Sequence, residues 1–255
     1  MDRIPLTTKI AGEGFRVFLA GDSTMQYNDS TTYPQTGWGQ VFPLFLKENT
    51  RSFNFGKNGR STKSFIAEGR LAKIDEGLEP GDYLIVQFSH NDEKIQDPSR
   101  YTEPYGEYTK NLAQFAATAV KHGAFPLFLT SITRRAYYPD GTVPESHGDY
   151  PAAMMKYAKS AGYPVIDVNT LSRRLLEKVG EQETRQFFMN FDAGLYPCYM
   201  DGKQDNTHMR YPGAFQMALL TAKEIARLGK TFPAYKPLSD AIILPKNEEI
   251  DSTER

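Results

Sequence analysis

Short apolar runs alternate with longer amphipathic stretches along this chain, and that alternation limits its fold more than any other feature. Phe15 to Ala20 is a nearly continuous apolar run, the pattern of a strand buried on both faces. Gly37 to Lys47 sets Trp38, Val41, Phe42, Phe45 and Leu46 at helical spacing. Ser52 to Phe55 is a short second strand, followed by the loop Gly56-Lys57-Asn58-Gly59. Ser61 to Arg70 reads as a helix with Ser61 or Thr62 near its N-cap. A turn at Pro80-Gly81-Asp82 leads into the strand Tyr83 to Phe88. Tyr108 to His122 is an amphipathic helix, with Leu112, Phe115, Ala116 and Ala119 on one face. Phe125 to Ser131 is the next strand, and Arg134 to Asp149 a long loop. Ala152 to Ala161 is a helix, Pro164 to Val168 a strand and Leu171 to Val179 another helix. Pro212 to Arg227 is the last helix, with Pro212 suited to its first turn. Repeated strand-helix units imply a parallel sheet covered on both faces. Right-handed crossovers then give an α/β fold of the three-layer α/β/α sandwich type.

A chain of 255 residues is long enough for one sizeable core. With neither an internal repeat nor a long linker, one domain over 1–255 is the economical expectation, its core at about 15–230 and a C-terminal extension at 231–255. Within that extension Ala241-Ile242-Ile243-Leu244-Pro245 is apolar enough to dock on the body, and the residues from Asn247 onward look like a frayed tail. The net charge of -1 provides no field favouring nucleic acid or an anionic membrane, so neither is expected as a partner. No apolar stretch approaches the ~18 residues of a transmembrane helix. Met1 to Lys9 lacks the apolar core of a secretory signal, and Cys198 is the single cysteine, so a cytoplasmic location is expected. Cys198, in Tyr196-Pro197-Cys198-Tyr199, reads as a packed or incidental thiol. Oligomeric state is not legible.

Reactive groups of open α/β sheets collect at the carboxyl ends of the strands. Ser23 follows the first strand, Gly59 the second and Asn91 the third, while Asp205 and His208 precede the last helix. A serine hydroxyl is a weak nucleophile unless a base takes its proton. Histidine suits that task because its ordinary pKa, roughly 6.5, lies near neutrality. His208 is therefore the candidate base, and Asp205 the group that fixes its tautomer and stabilises the imidazolium. A tetrahedral intermediate also needs donors aimed at its oxyanion. The backbone N–H of Ser23, that of Gly59 and the side-chain amide of Asn91 are the candidates. Taken alone, Gly21-Asp22-Ser23 is equally a polar turn; with the other three segments in order, catalysis is the stronger reading.

These four segments resemble the blocks of the GDSL, or SGNH, hydrolase family, centred on Ser, Gly, Asn and His. The wording is closer still to its rhamnogalacturonan acetylesterase subgroup. Gly21-Asp22-Ser23-Thr24, Gly37-Trp38-Gly39, Asn58-Gly59-Arg60-Ser61, Gln87-Phe88-Ser89-His90-Asn91-Asp92 and Asp205-Asn206-Thr207-His208 carry the likeness, which covers roughly Phe15 to Leu228. It implies a flavodoxin-like sheet of five parallel strands, neither metal nor organic cofactor, and an acetylated oligosaccharide as substrate. It also implies deacetylation of pectin-derived rhamnogalacturonan fragments through an acyl-enzyme on Ser23. One position departs: Ser89 stands where the family usually has glycine. The serine context is unlike the Gly-x-Ser-x-Gly elbow of α/β-hydrolases, since Thr24 and Met25 follow Ser23.

Other residues keep two readings. Asp22 either supports the oxyanion loop or caps a local turn. His90 is structural or contacts substrate. Arg134 and Arg135 either recognise a sugar carboxylate or belong to a solvated loop. Trp38, Tyr137, Tyr138, Tyr196 and Tyr199 either stack on sugar rings or pack. His122 suits the end of a helix, and His147 is expected to be exposed and idle. Alternative functions are a lipase or thioesterase of the same fold, an acetyl xylan esterase, and a non-catalytic carbohydrate-binding protein.

Overall fold

The computed structural model describes residues 14–245. The expectations for Met1 to Lys9 and for the tail from Asn247 lie outside the described residues. Strands β1 (Arg16–Gly21), β2 (Arg51–Asn54), β3 (Tyr83–Gln87), β4 (Phe125–Leu129) and β5 (Val165–Ile166) form a parallel sheet in the order β2-β1-β3-β4-β5. Every residue of β1 and β3 is buried, which is why both strands read as near-continuous apolar runs.

Alternate residues of these strands enter opposite cores. Val17, Leu19 and Ile85 pack with Trp38, Phe42 and Met217. Phe18, Ala20 and Val86 pack with Phe65, Leu112 and Phe115. The first core is covered by α1 (Trp38–Val41) and by helices from the second half of the chain, and the second by α2 (Thr62–Ala67), α3 (Arg70–Asp75), α4 (Thr109–Lys121) and α5 (Tyr150–Ser160). The later helices are α6 (Val168–Val179), α7 (Glu181–Thr184), α8 (Tyr211–Leu228) and α9 (Lys236–Asp240). The result is the three-layer α/β/α architecture.

Local chemistry explains where the elements differ from expectation. The helix expected over Gly37 to Lys47 tightens into a 3₁₀ turn at Phe42–Phe45, because Pro43 has no N–H to donate. The helix expected over Ser61 to Arg70 breaks at Gly69, whose φ of 71° is left-handed, and restarts as α3. Its start is a reciprocal capping box between Ser61 and Ser64. The strand expected over Pro164 to Val168 is cut short because Asp167 caps α6, accepting from the Thr170 N–H. The C-terminal apolar run does dock: Ile242 bridges to Leu46, and the Ile243 N–H donates to the Phe45 carbonyl at 2.9 Å.

An antiparallel pair, β6 (Phe188–Phe191) and β7 (Lys203–Met209), forms where the sequence pattern marks no strand. It stands apart from the main sheet and carries Asp205 and His208 on β7. Its base is tied to the segment after Ser23, since Gln35 bridges to Arg210 and the Thr36 N–H donates to the Met209 carbonyl at 2.8 Å.

Candidate active site

Strand order places the site. The chain leaves β1 for β2 on one side and reaches β3 on the other, so β1 and β3 meet at a topological switch point. Loops diverge there and leave a crevice beyond the carboxyl ends of the strands. Ser23 lies two residues past β1, Gly59 beyond β2 and Asn91 beyond β3.

The Ser23 turn is packed against its neighbours. A Cβ on Gly21 would meet Met25 Sδ at 2.7 Å and the Gln87 carbonyl at 3.0 Å, so a side chain there would have to displace the buried Met25 thioether and crowd the β3 backbone. Asp22 is fully buried and turns the chain: its Oδ1 accepts from the Thr24 N–H and from Thr24 Oγ, each at 2.9 Å. Its Oδ2 is 3.0 Å from His90 Nδ1. Burial would raise the Asp22 carboxyl, but the charge and hydrogen bond of His90, with the Thr24 bonds, hold it below the usual carboxylate range. Burial also lowers His90, and the nearby His147 and Arg134 add to that against the pull of Asp22.

The acid-histidine pair depends on an irregular strand. In a regular strand residues three apart point to opposite faces. Here Phe188 is opposite Met209 while its neighbour Met189 is opposite Asp205, so β7 accommodates three extra residues. The Asp205 carboxylate folds back over them, Oδ1 accepting from the N–H groups of Thr207 and His208 at 2.9 Å each. Oδ2 lies 2.7 Å from His208 Nδ1, and His208 Nε2 lies 2.9 Å from Ser23 Oγ. Burial tends to raise the Asp205 carboxyl, but the bonds and charge of His208 bring it well below the ordinary range. Asn190 staples the bulge: its Oδ1 accepts from the Asp205 N–H at 2.9 Å and its Nδ2 donates to Asn206 Oδ1 at 2.7 Å.

Donors remain for an oxyanion. Gly59 has a φ of 77°, a conformation open to glycine at little cost. Among the described residues neither the Ser23 N–H nor the Gly59 N–H donates to a protein group. Asn91 is buried, and Nδ2 spends one hydrogen on the Arg60 carbonyl at 3.1 Å. Its neighbour Asp92 takes the Thr62 N–H and both the Thr62 and Thr102 hydroxyls, which locks the second and third blocks together. Burial pushes the Asp92 carboxyl up to about 7 despite those bonds. Ser89, in the usual glycine position, uses its hydroxyl to reach Ser131 Oγ at 2.6 Å across the ends of β3 and β4.

The structure bears on the residues that kept two readings, and it corrects the expectation for His147. Trp38 does not stack on a sugar: it is fully buried in the first core and donates Nε1–H to Gln87 Oε1 at 2.7 Å. His90 and Asp22 are likewise buried beneath the nucleophile turn and support it from below. Arg134 is turned inward, not outward to a carboxylate, pairing with Glu93 and donating to the Ser146 carbonyl at 2.8 Å. Arg135 donates to the Glu181 carbonyl at 2.6 Å and Tyr137 to the Leu176 carbonyl at 2.8 Å. His147 is buried and engaged, not exposed and idle. Its Nε2 donates to the Ile132 carbonyl at 2.8 Å, its Nδ1 is 2.9 Å from Glu93 Oε2, and its ring meets His90 edge-on at 4.5 Å. Burial would raise Glu93, but His147 and Arg134 hold it below its usual range. Cys198 is exposed, its Sγ 3.3 Å from the Ser30 carbonyl. Tyr196 is partly exposed, edge-on to Tyr33 at 5.6 Å and to Phe191 of β6 at 4.6 Å.

A doubly covered parallel sheet with a serine, a histidine and a carboxylate in hydrogen-bonded series defines the class of an ester or amide hydrolase. The chain belongs to the GDSL-like Lipase/Acylhydrolase family, whose model matches residues 19–194. It is a carboxylic ester hydrolase. It is 40% identical over 234 residues to the rhamnogalacturonan acetylesterase RhgT of Bacillus subtilis (strain 168), an alignment covering 92% of this chain and 97% of that one. The probable rhamnogalacturonan acetylesterase YesY of the same organism is 39% identical over 228 residues, covering 89% and 97%. Among solved structures, Bacillus subtilis YxiM superposes with a TM-score of 0.73 at 23% identity, over 85% of this chain and 57% of that chain. The acetylxylan esterase Axe2 of Geobacillus stearothermophilus gives 0.57 at 13%, over 84% and 94%. Likeness at these identities shows the fold alone. Among the described residues no helix is long and apolar enough to cross a membrane.

Proposed function

We propose that this protein is a serine carbohydrate esterase that removes acetyl groups from sugar hydroxyls, with rhamnogalacturonan oligosaccharides as its substrate class. The observation that carries the chemistry is the series Asp205 Oδ2, His208, Ser23 Oγ, with spacings of 2.7 and 2.9 Å. Ser23 Oγ attacks the acetyl carbonyl carbon as its proton passes to His208 Nε2. The N–H groups of Ser23 and Gly59 and the second Nδ2 hydrogen of Asn91 take the oxyanion. Collapse breaks the bond to the sugar oxygen, which leaves with the proton from His208. Water, deprotonated by His208, then attacks the acetyl-Ser23 carbonyl; acetate departs and Ser23 regains its proton.

The substrate class rests on the relatives RhgT and YesY, named as rhamnogalacturonan acetylesterases and aligned over almost their whole length. Acetate release from acetylated rhamnogalacturonan, xylan and homogalacturonan oligosaccharides tests it. Fastest turnover on the rhamnogalacturonan set is expected. Faster turnover on xylan, or of octanoyl than acetyl 4-nitrophenyl esters, would replace it with the acetyl xylan esterase or lipase reading.

A further inference from the structure

An asparagine amide serves an oxyanion only if its nitrogen, not its oxygen, faces the reacting carbonyl. Two contacts decide the orientation of Asn91. The Arg60 carbonyl can only accept, and it lies 3.1 Å from Nδ2. A guanidinium can only donate, and Nη1 of Arg100 lies 3.3 Å from Oδ1. Rotating the amide by half a turn would set donor against donor at one end and acceptor against acceptor at the other. The second Nδ2 hydrogen is thereby committed to face away from both clamps.

Arg100 is itself held. Its Nε donates to Asp97 Oδ2 at 2.6 Å, its backbone N–H donates to the Asp97 carbonyl at 3.0 Å, and Asp97 Oδ1 is fixed by the Ser99 N–H at 3.1 Å. The same Nη1 lies 3.9 Å from where a Cβ would stand on Gly59, so the guanidinium borders both Asn91 and Gly59. Nothing in the four sequence blocks marks this arginine, which lies nine residues past Asn91.

We infer that Arg100 is a positioning residue of the oxyanion hole, holding Asn91 Oδ1 so that Nδ2–H meets the charge that develops on the acetyl oxygen. This rests on the esterase reading. Loss of a whole oxyanion donor costs ~10²–10³-fold in kcat, and a donor left free to rotate forfeits part of that, on the order of tenfold. On 4-nitrophenyl acetate, which has no carboxylate, Arg100→Met should lower kcat about tenfold with KM nearly unchanged, while Arg100→Lys recovers part of the loss. Because Arg100 acts through Asn91, the Arg100→Met/Asn91→Ala double variant should be no slower than Asn91→Ala alone. Asp97→Asn, which loosens Arg100 without removing it, should show a smaller loss with the same non-additivity.

Multiplying losses in the double variant would overturn the inference, as would a loss confined to KM. A loss seen only on uronate-containing oligosaccharides would overturn it too, making Arg100 a carboxylate-binding group. An inactive parent enzyme would defeat the esterase reading itself; an active parent with an unaltered Arg100→Met variant would defeat only this one.

Discussion

Replacing Asp205 by asparagine exchanges one oxygen for an NH₂ group, and the geometry dictates the consequence. Oδ1 accepts two backbone N–H groups, from Thr207 and His208, at 2.9 Å each. If the asparagine keeps its oxygen there, its Nδ2 faces His208 Nδ1, 2.7 Å away in the parent. Nδ2 only donates, so Nδ1 must accept and the ring proton moves to Nε2. Nε2 then donates to Ser23 Oγ and cannot take its proton. The wrong tautomer in a Ser-His-Asp site costs kcat on the order of 10⁴-fold. The amide can instead flip and restore the tautomer, but NH₂ then opposes two backbone N–H groups. A fully buried unsatisfied donor costs ~1–3 kcal/mol, and these two N–H groups are part-buried, so together they set the flip at about 2 kcal/mol. That sets a floor of roughly 30-fold on the loss. Saturating rates of acetate release, with circular dichroism to verify folding, should therefore fall by roughly 30-fold to 10⁴-fold. A fall of less than about tenfold would refute the role given to Asp205.

Two predictions concern stability. His147→Leu leaves the Glu93 carboxylate, 19% exposed, with Arg134 alone, and should cost about 3 kcal/mol in urea unfolding; below about 1 kcal/mol, the buried cluster under Ser23 is not a support. Asp205, held below the usual carboxylate range, is an acid whose depressed pKa adds stability above that range and loses it as pH falls toward the folded value. The stability difference between the parent and Asp205→Ala should thus be full near neutrality and shrink from about pH 5 downward. A difference that grows on acidification would contradict the sign.

The sheet was legible because β1 and β3, buried on both faces, are apolar along most of their length, with only Arg16 and Gln87 as polar side chains at their ends. The arm was not. Lys203-Gln204-Asp205-Asn206-Thr207-His208-Met209 is polar, and its bulge hides any period of two. The segments that converge on the crevice were visible as short motifs, because turn chemistry and reacting groups are local. The partners of long side chains were not. Arg134 and Arg100 look alike in sequence, yet Glu93 draws one inward and Asp97 and Asn91 fix the other beside the crevice. Trp38 shows the same limit, since an indole near a site motif is equally a sugar platform and a core residue until Gln87 is seen to satisfy its N–H.

Site-resolved labelling tests the central claim most directly. A fluorophosphonate reacts with a serine only where a base and an oxyanion hole activate it. Incorporation should reach one equivalent per chain, map to the peptide carrying Ser23, and abolish acetate release from acetylated oligosaccharides in proportion to its extent. Full labelling with acetate release intact, or labelling at another residue, would contradict the account.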